Sequence, residues 1–370
     1  MIRKLFNKTR EYIPLWSMIV FAITIVSAII FLIYSKSVAF ADIFNLYISM
    51  PVRAVLSFTT SIFPFSIAEI ILITLPLWLA LLIYFAIKFG KMGTVQSIRY
   101  LSSLISLICI VFIAYVWTNT SGFYNTPIED KMNLDRENIT KEELYEASEI
   151  IIENLNELSL QIQYNEKNSS VMPYSYGEMS SKICDAYESF NEKYGLIPTF
   201  RSQIKPIMLS KPMTYTHLSG IYFCITGESN VNVNYPDYIV ASTSAHEMAH
   251  QRGLAREDEC NFVAFAVLDM SDDSFLKYSA YLDVFSYLIA ELRGADKDLY
   301  NQAVSKLNDE VKKDYNSYVE FFKEYSNSKA SQVTDKVNDT FLQANGQENG
   351  TKSYSMVTEL VVAYVLNRSK

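Results

Sequence analysis

The segment Ala245-His-Glu-Met-Ala-His-Gln251 contains two of the three histidines in the chain and a glutamate between them. His246 and His250 are four positions apart, so on a helix both imidazoles project from one face and can bind the same Zn²⁺. Glu247 follows the first histidine, where its carboxylate can accept the proton of an attacking water. This HExxH spacing predicts metal-assisted hydrolysis with Zn²⁺ as the cofactor. The alternative is an ordinary helix with two surface histidines, because short motifs also arise by chance.

A zinc site of this type needs a third protein ligand. Gly253 stands where the pattern HExxHxxG has its glycine, but the next ligand position is occupied by Arg256, which cannot bind zinc. Glu257 and Asn261 have the Glu-x-x-x-Asn spacing of several glutamate-zincin families. Glu257 is therefore the predicted ligand, and Asn261 is expected to hydrogen-bond a histidine ligand. Glu259 is the alternative ligand, and these acids could also simply occupy a solvated helix N-terminus.

Gly253 also has a predicted mechanical role. A glycine in a left-handed conformation can end the histidine helix and let the chain turn back within a few residues. Only such a tight turn would bring Glu257 to the metal of the histidine pair.

Residues 220–234 are rich in β-branched and aromatic side chains, which predicts two short strands or a hairpin with its turn near Gly227. Residues 222–233, beginning at Tyr222, are the candidate edge strand for binding a substrate backbone by strand addition. His217 and Tyr354 are candidates for stabilising an oxyanion. For all three side chains a purely structural role is the alternative.

Three stretches near the N-terminus, at about residues 15–34, 67–87 and 101–117, are apolar and long enough to cross a bilayer as helices. The first apolar run is longer than that of a signal peptide and no cleavage site follows it, so an uncleaved anchor is expected. Residues 35–66 are predicted to form one or two short helices at the outer membrane interface, with a re-entrant segment as the alternative.

The basic residues predict the orientation. Residues 1–13 contain four of them and the loop between the second and third spans contains three, so the N-terminus is expected in the cytoplasm and residue 118 onward outside it. Residues 118–370 carry 23 basic and 37 acidic residues. This acidic balance argues against nucleic acid as a partner. The expected partners are the lipid bilayer and a peptide or envelope protein substrate.

The predicted fold is mostly α, with a membrane region at 1–117 and an α+β zincin-like extracytoplasmic metallopeptidase domain with a small sheet at 118–370. Thr140 and Glu143 form a predicted capping box at the start of a helix. Residues 338–352 are predicted to be a loop, because they contain many Asn, Gln and Gly residues. Three cysteines in the outer domain leave open whether one disulfide forms.

Several stretches of the sequence resemble a family of uncharacterised bacterial membrane proteins, the domain-of-unknown-function family numbered 3810. They are Phe63-Pro-Phe-Ser-Ile-Ala-Glu-Ile70, Gly220-Ile-Tyr-Phe223, Thr226-Gly-Glu-Ser-Asn-Val-Asn232, His246-Glu-Met-Ala-His-Gln-Arg-Gly-Leu-Ala-Arg-Glu-Asp-Glu-Cys-Asn-Phe262 and Asn338-Asp-Thr-Phe-Leu-Gln-Ala-Asn-Gly-Gln347. The resemblance covers nearly the whole chain and implies a zincin-like domain, but it implies no substrate.

The leading hypothesis from the sequence is a membrane-anchored zinc peptidase of the cell membrane. Two alternatives stay open: a non-catalytic sensor or scaffold that keeps a zinc fold, and a zinc hydrolase that cuts a non-peptide amide bond in the cell envelope. Glu247 favours hydrolysis over a scaffold, since it is not a predicted ligand and is useful mainly for chemistry.

Overall fold

The structure is a computed structural model and describes residues 9–326, 328–345 and 356–369. Helices dominate this part of the chain. Their bounds are α1 Leu15–Tyr34, α2 Val38–Ser61, α3 Ile67–Met92, α4 Thr94–Thr118, α5 Ile128–Met132, α6 Lys141–Ser159, α7 Tyr176–Tyr194, α8 Ser210–Thr214, α9 Asp237–Gln251, α10 Glu257–Asp269, α11 Ser274–Ala295, α12 Lys297–Ser305, α13 Asp309–Lys323, α14 Lys329–Ala344 and α15 Met356–Ser369. The strands are β1 Gln163–Tyr164, β2 Ser170–Val171, β3 Ile204–Pro206, β4 Gly220–Phe223 and β5 Glu228–Val231.

Four helices, α1 to α4, are long and apolar enough to cross a membrane. The sequence predicted three of them as spans, and α3 and α4 extend beyond the predicted stretches by about one turn or more. The fourth, α2, is one continuous helix with a π-helical turn at Asn45–Ser49, where the sequence predicted one or two short helices. The N-terminal part of the chain therefore contains several long apolar helices, which are compatible with a membrane protein.

Helix α2 has two chemically different faces. Its polar side chains recur at helical spacing and contact the end of α4 and the part of the chain that follows it. Asp42 accepts from Thr126, Asn45 donates to Gly253, Arg53 donates to Thr118 and Ser57 accepts from Gln251. Near the end of the helix, the backbone carbonyl of Thr60 accepts from Lys205. The opposite face carries large exposed apolar side chains: Ile43, Tyr47, Val55 and Phe58. The helix is therefore polar toward the protein and apolar toward its surroundings.

Two carboxylates connect the start of α3 with the small sheet region. Glu228 on β5 accepts hydrogen bonds from the backbone N–H groups of Ile67 and Ala68, at 3.0 and 2.8 Å. Glu69 in the first turn of α3 accepts from the N–H groups of Met208 and Leu209. The N–H groups at a helix start have no partners within the helix, so Glu228 satisfies groups that would otherwise be orphaned in a buried place.

The larger sheet has three strands in the order β3-β5-β4. β3 runs parallel to β5, while β4 and β5 form an antiparallel hairpin that pairs Gly220 with Val231. Gly227 has a φ of +69° in the turn between them, which confirms the predicted hairpin. The sheet positions β4 as an edge strand beside helix α9.

Helices α9, α10 and α11 form the centre of the core, with α6, α7 and α15 around them. Almost every residue of α9 is buried, because one side contacts β4 and β5 and the other contacts α10 and α11. The predicted capping box of Thr140 and Glu143 at the start of α6 is confirmed. The layers therefore fix the histidine-bearing helix from all sides.

The structure corrects the prediction for residues 338–352 and answers the open question of a disulfide. The predicted loop at 338–352 is wrong over residues 338–344, which belong to α14. Ser328 caps this helix, and Val333, Val337 and Phe341 are spaced four apart as on one helix face. The remainder, residues 346–352, lies outside the described residues. No disulfide forms among the cysteines, since Cys109, Cys184, Cys224 and Cys260 are all free thiols.

We expect Glu228→Ala to destabilise the full-length protein in detergent by about 1–3 kcal/mol, because two helix N–H groups lose a charged acceptor. The matched control is Glu153→Ala on α6, an exposed glutamate, which should change stability by no more than about 0.5 kcal/mol. Thermal unfolding of both variants checks this. Equal midpoints for the two would contradict the role given to Glu228.

Candidate metal centre

His246 and His250 project from the same face of α9, one turn apart. Their ring centroids are 4.7 Å apart and the ring planes are nearly perpendicular. Both side chains are about one-eighth exposed, so they are accessible to a small ion but not to bulk solvent. The helix holds them rigidly, since its other faces are buried.

A five-residue connection reverses the chain after α9. Gly253 adopts a φ of +107°, and its N–H donates to the His250 carbonyl while the Leu254 N–H donates to the Ala249 carbonyl. A side chain in place of the Gly253 hydrogen would collide with the guanidinium of Arg53. Glycine is thus required twice, by the backbone angle and by the close approach of α2. Helix α10 begins four residues later, at Glu257.

The turn brings Glu257 to the histidine pair. Its carboxylate oxygens lie 3.3 Å from His246 Nε2 and 3.6 Å from His250 Nε2. Two ligands of a tetrahedral zinc, each at about 2.0–2.1 Å from the metal, are separated by about 3.3–3.5 Å. The two distances from Glu257 are close to this spacing, and all three donors lie within 4.8 Å of one another, near enough to bind one metal ion.

The electrostatics of the cluster agree with its donor set. Burial alone would raise the pKa of Glu257, but the charge of His250 and hydrogen bonds from both imidazoles hold it well below its usual range. Burial alone would lower the pKa of His250, yet the charges of Cys260 and Glu257 raise it well above its usual value. The Glu257 carboxylate is therefore ionised and pairs with the two imidazoles.

Glu259, the alternative ligand in the sequence analysis, faces away from the histidines. Its Oε1 accepts hydrogen bonds from the Ile128 N–H at 3.0 Å and from Arg256 at 2.5 Å. It is almost completely buried in that position. Glu259 thus anchors α5 to the start of α10 and takes no part in the His–His–Glu cluster.

The far nitrogen of His250 is held by the connection itself. His250 Nδ1 lies 3.1 Å from the Leu254 carbonyl and 3.2 Å from Cys260 Sγ. With Nδ1 donating to the carbonyl, the lone pair of Nε2 is free for a metal, the usual arrangement of a histidine ligand. Asn261 was predicted to fill this role, but its Nδ2 has no hydrogen-bond partner among the described residues, and neither does Nδ1 of His246.

The surroundings of Glu247 fit its carboxylate closely. The side chain is buried and accepts a hydrogen bond from the backbone N–H of Tyr222. A Cβ on Gly220 would lie 2.5 Å from Glu247 Oε1, so only glycine leaves room for the carboxylate at this point of β4. Burial raises the pKa of Glu247, although the nearby histidines oppose the shift.

A cavity of about 570 Å³ opens in front of the cluster. Tyr222 lines it and stacks on the His250 ring, with centroids 6.5 Å apart. His217 also lines it, and its Nε2 lies 2.9 Å from the Tyr325 carbonyl. The third predicted substrate-binding residue, Tyr354, lies outside the described residues. The structure therefore brings Tyr222 and His217 to the same cavity as the histidine pair.

Sequence reasoning missed two parts of this cavity. Asp283 on α11 lines it, and the signal was present as an acid within the apolar stretch 278–290 of that helix. Helix α14 also lines it, through Thr334, Val337, Asn338 and Phe341, which share one helix face. That helix was not predicted at these positions, so its contact with the site could not be anticipated.

Fold and site together define a helical protein with membrane-type helices at its N-terminus and a His–His–Glu cluster in a buried cavity. The family model described as Protein of unknown function (DUF3810) matches residues 44–362 of the chain. The chain belongs to this family. No curated protein and no solved structure matches it.

We expect Gly253→Ala to destabilise the protein by about 2–4 kcal/mol, because the backbone angle is unfavourable for alanine and the new Cβ displaces Arg53. Gly294→Ala is the matched control: it lies on α11 with no atom within 4 Å of the added Cβ, and should be neutral or stabilising by up to about 1 kcal/mol. Thermal unfolding in detergent measures both. A Gly253→Ala variant as stable as Gly294→Ala would refute the constraint.

Proposed function

We propose that this protein is a membrane-anchored zinc metallopeptidase that hydrolyses peptide bonds at the outer face of the membrane. His246, His250 and Glu257 would hold Zn²⁺, and Glu247 would act as the general base. The observation that carries the proposal is a His–His–Glu cluster whose three donors lie within 4.8 Å of one another, beside a buried glutamate that lines the same cavity.

The donor set favours zinc over other common cations. Two imidazole nitrogens and one carboxylate suit zinc, whereas Mg²⁺ and Ca²⁺ prefer oxygen ligands. Three protein ligands with space on the cavity side are the pattern of a catalytic site, because a structural zinc has four protein ligands. Among the described residues the cluster contains three such donors.

The chain supplies the proton transfers. When bound, Zn²⁺ would polarise the scissile carbonyl and acidify a water. Glu247 would accept the proton of the attacking water and deliver it to the nitrogen of the leaving amine. The buried position of Glu247 makes its carboxylate a better proton acceptor, and the Tyr222 N–H and the space at Gly220 fix its orientation.

The substrate would bind in an extended conformation along β4. This strand is an edge of its sheet, and its residues Gly220, Ile221 and Tyr222 line the cavity. An edge strand offers unpaired backbone groups to which a peptide can add. Asn119 and Phe123, which follow α4 directly, line the same cavity, so a peptide or envelope protein segment close to the bilayer is the favoured substrate.

The alternatives account less well for Glu247. A scaffold would gain nothing from a carboxylate that costs free energy to bury. Hydrolysis of a non-peptide amide in the envelope would use the same groups, and only the choice of substrate separates it from peptidolysis.

For the membrane topology we propose that α1, α3 and α4 cross the bilayer and that α2 lies along its outer interface. The polar stripe of α2 contacts the region after α4 from Asp42 to Thr60, so both ends of the helix are on the same side as that region. Its exposed apolar face would contact lipid. Three crossings place the basic N-terminus in the cytoplasm and residues 118–370 outside.

The function is tested with the full-length chain in detergent. We expect wild-type protein to bind about one Zn²⁺ per chain and His246→Ala and Glu257→Ala to lose it, while Glu259→Gln keeps it. Glu247→Gln should keep the metal but lose roughly 10²–10⁴-fold of the cleavage rate on peptide libraries, since only the base is missing. Metal analysis and mass spectrometry of the products provide the two measurements.

Each outcome has a separate meaning. Folded wild-type protein without zinc would refute the metal site. Loss of zinc in Glu259→Gln but not in Glu257→Ala would mean that Glu259, and not Glu257, is the third ligand. Zinc without cleavage of any peptide, or cleavage unaffected by Glu247→Gln, would refute the peptidase.

The topology is tested by labelling single cysteines in a background with the four native cysteines replaced. We expect Glu153→Cys on α6 to react with a membrane-impermeant maleimide in intact cells, and Lys91→Cys at the end of α3 to react only after permeabilisation. Both native positions are exposed. Labelling of Lys91→Cys in intact cells would contradict the three-crossing arrangement.

A further inference from the structure

Asp283 is a carboxylate that the proposed chemistry does not use. It stands on α11, lines the cavity in front of the histidine pair, and its carboxylate makes no hydrogen bond or ion pair with any described residue. Burial raises its pKa to about 6, with the charge of His246 acting in the opposite direction. Asp283 is only partly exposed, so a nearby cation would stabilise its ionised form.

The charges of the cavity leave Asp283 without a partner. None of the described residues lining it is Lys or Arg, and its carboxylates are Glu247, Glu257 and Asp283. The two charges of a bound divalent metal would be balanced by Glu247 and Glu257, since histidine ligands are neutral. One negative charge then remains, at Asp283.

Aromatic side chains share the lining of this cavity with Asp283. The pKa of Tyr318 on α13 is raised to about 12 by its burial and also by the charge of Asp283. The Tyr318 ring lies 5.9 Å from that of Phe322, and Phe322 packs against His217 with ring centroids 4.7 Å apart. All four residues line the cavity. A carboxylate beside aromatic faces is an environment that attracts a positively charged nitrogen.

We propose that Asp283, with Tyr318 and Phe322, forms a subsite for a cationic nitrogen of the substrate. The inference rests on the proposed function for the identity of the substrate as a peptide. The cation is either a lysine or arginine side chain or a free amino terminus, since both present the same charge. A different role, in which Asp283 only positions His246, would weaken zinc binding and would affect every peptide equally.

The test measures retention of peptides on immobilised full-length Glu247→Gln protein in detergent with added zinc. The probes are hexapeptide pools with mixed residues and one fixed position, which carries lysine or norleucine in turn. Each pool is used with an acetylated and with a free amino terminus, so that the two sources of the cation are separated. Mass spectrometry measures the retained fraction, and zinc content is measured on the same samples.

We expect retention of one set of cationic peptides to exceed that of the matched neutral peptides by roughly fivefold to tenfold. Glu247→Gln combined with Asp283→Asn should lose this preference at unchanged zinc content. The matched control combines Glu247→Gln with Glu291→Gln, an exposed acid on the same helix, and should keep it.

Equal retention of cationic and neutral pools, no retention of any pool, or a preference that survives Asp283→Asn would overturn the subsite. Loss of zinc in the Asp283→Asn variant would assign the positioning role instead. Cleavage of the same pools by wild-type protein tests the proposed function separately. Cationic peptides that bind but are not cut would leave the subsite in place and remove the peptidase.

Discussion

The reversal of the chain at Gly253 is the constraint on which the site depends. Helix α9 carries the two histidines and helix α10 carries Glu257. The connection between these helices has five residues, and it brings Glu257 back to the histidines. The left-handed backbone of Gly253 makes this possible, and the packed side chain of Arg53 excludes anything larger. The same connection also supplies the Leu254 carbonyl that orients His250. One turn thus determines the position of one donor and the orientation of another.

The membrane-type helices are part of this construction. Asn45 and Ser57 of α2 bind the Gly253 carbonyl and the Gln251 side chain, at the end of the histidine helix. Arg53 is buried among neutral acceptors, the carbonyl of Thr118 and the side chain of Asn45, and it covers the turn directly. Helix α2 therefore contacts the end of the histidine helix and the turn that follows it directly.

Sequence patterns that act over a few neighbouring residues predicted the corresponding parts of the fold correctly. The HExxH spacing, the glycine at position 253 and the Thr140–Glu143 capping box all act within one or two helical turns, and the hairpin at Gly227 is equally local. Spacing alone left Glu257 and Glu259 as alternatives, because the outcome depends on Ile128, a residue 131 positions before Glu259. Asp283 and α14 were missed for the same reason, since their approach to the histidines is decided by tertiary packing.

We propose that the turn at Gly253 assembles a two-histidine, one-carboxylate zinc site. X-ray absorption at the zinc edge of the full-length protein in detergent tests it most directly. The account predicts nitrogen and oxygen neighbours at about 2.0–2.1 Å, the outer-shell signal of two imidazoles and no sulfur at about 2.3 Å. A sulfur neighbour would mean that Cys260, which contacts the far side of His250, binds the metal in a different arrangement. That result, or the absence of bound zinc, would contradict the account.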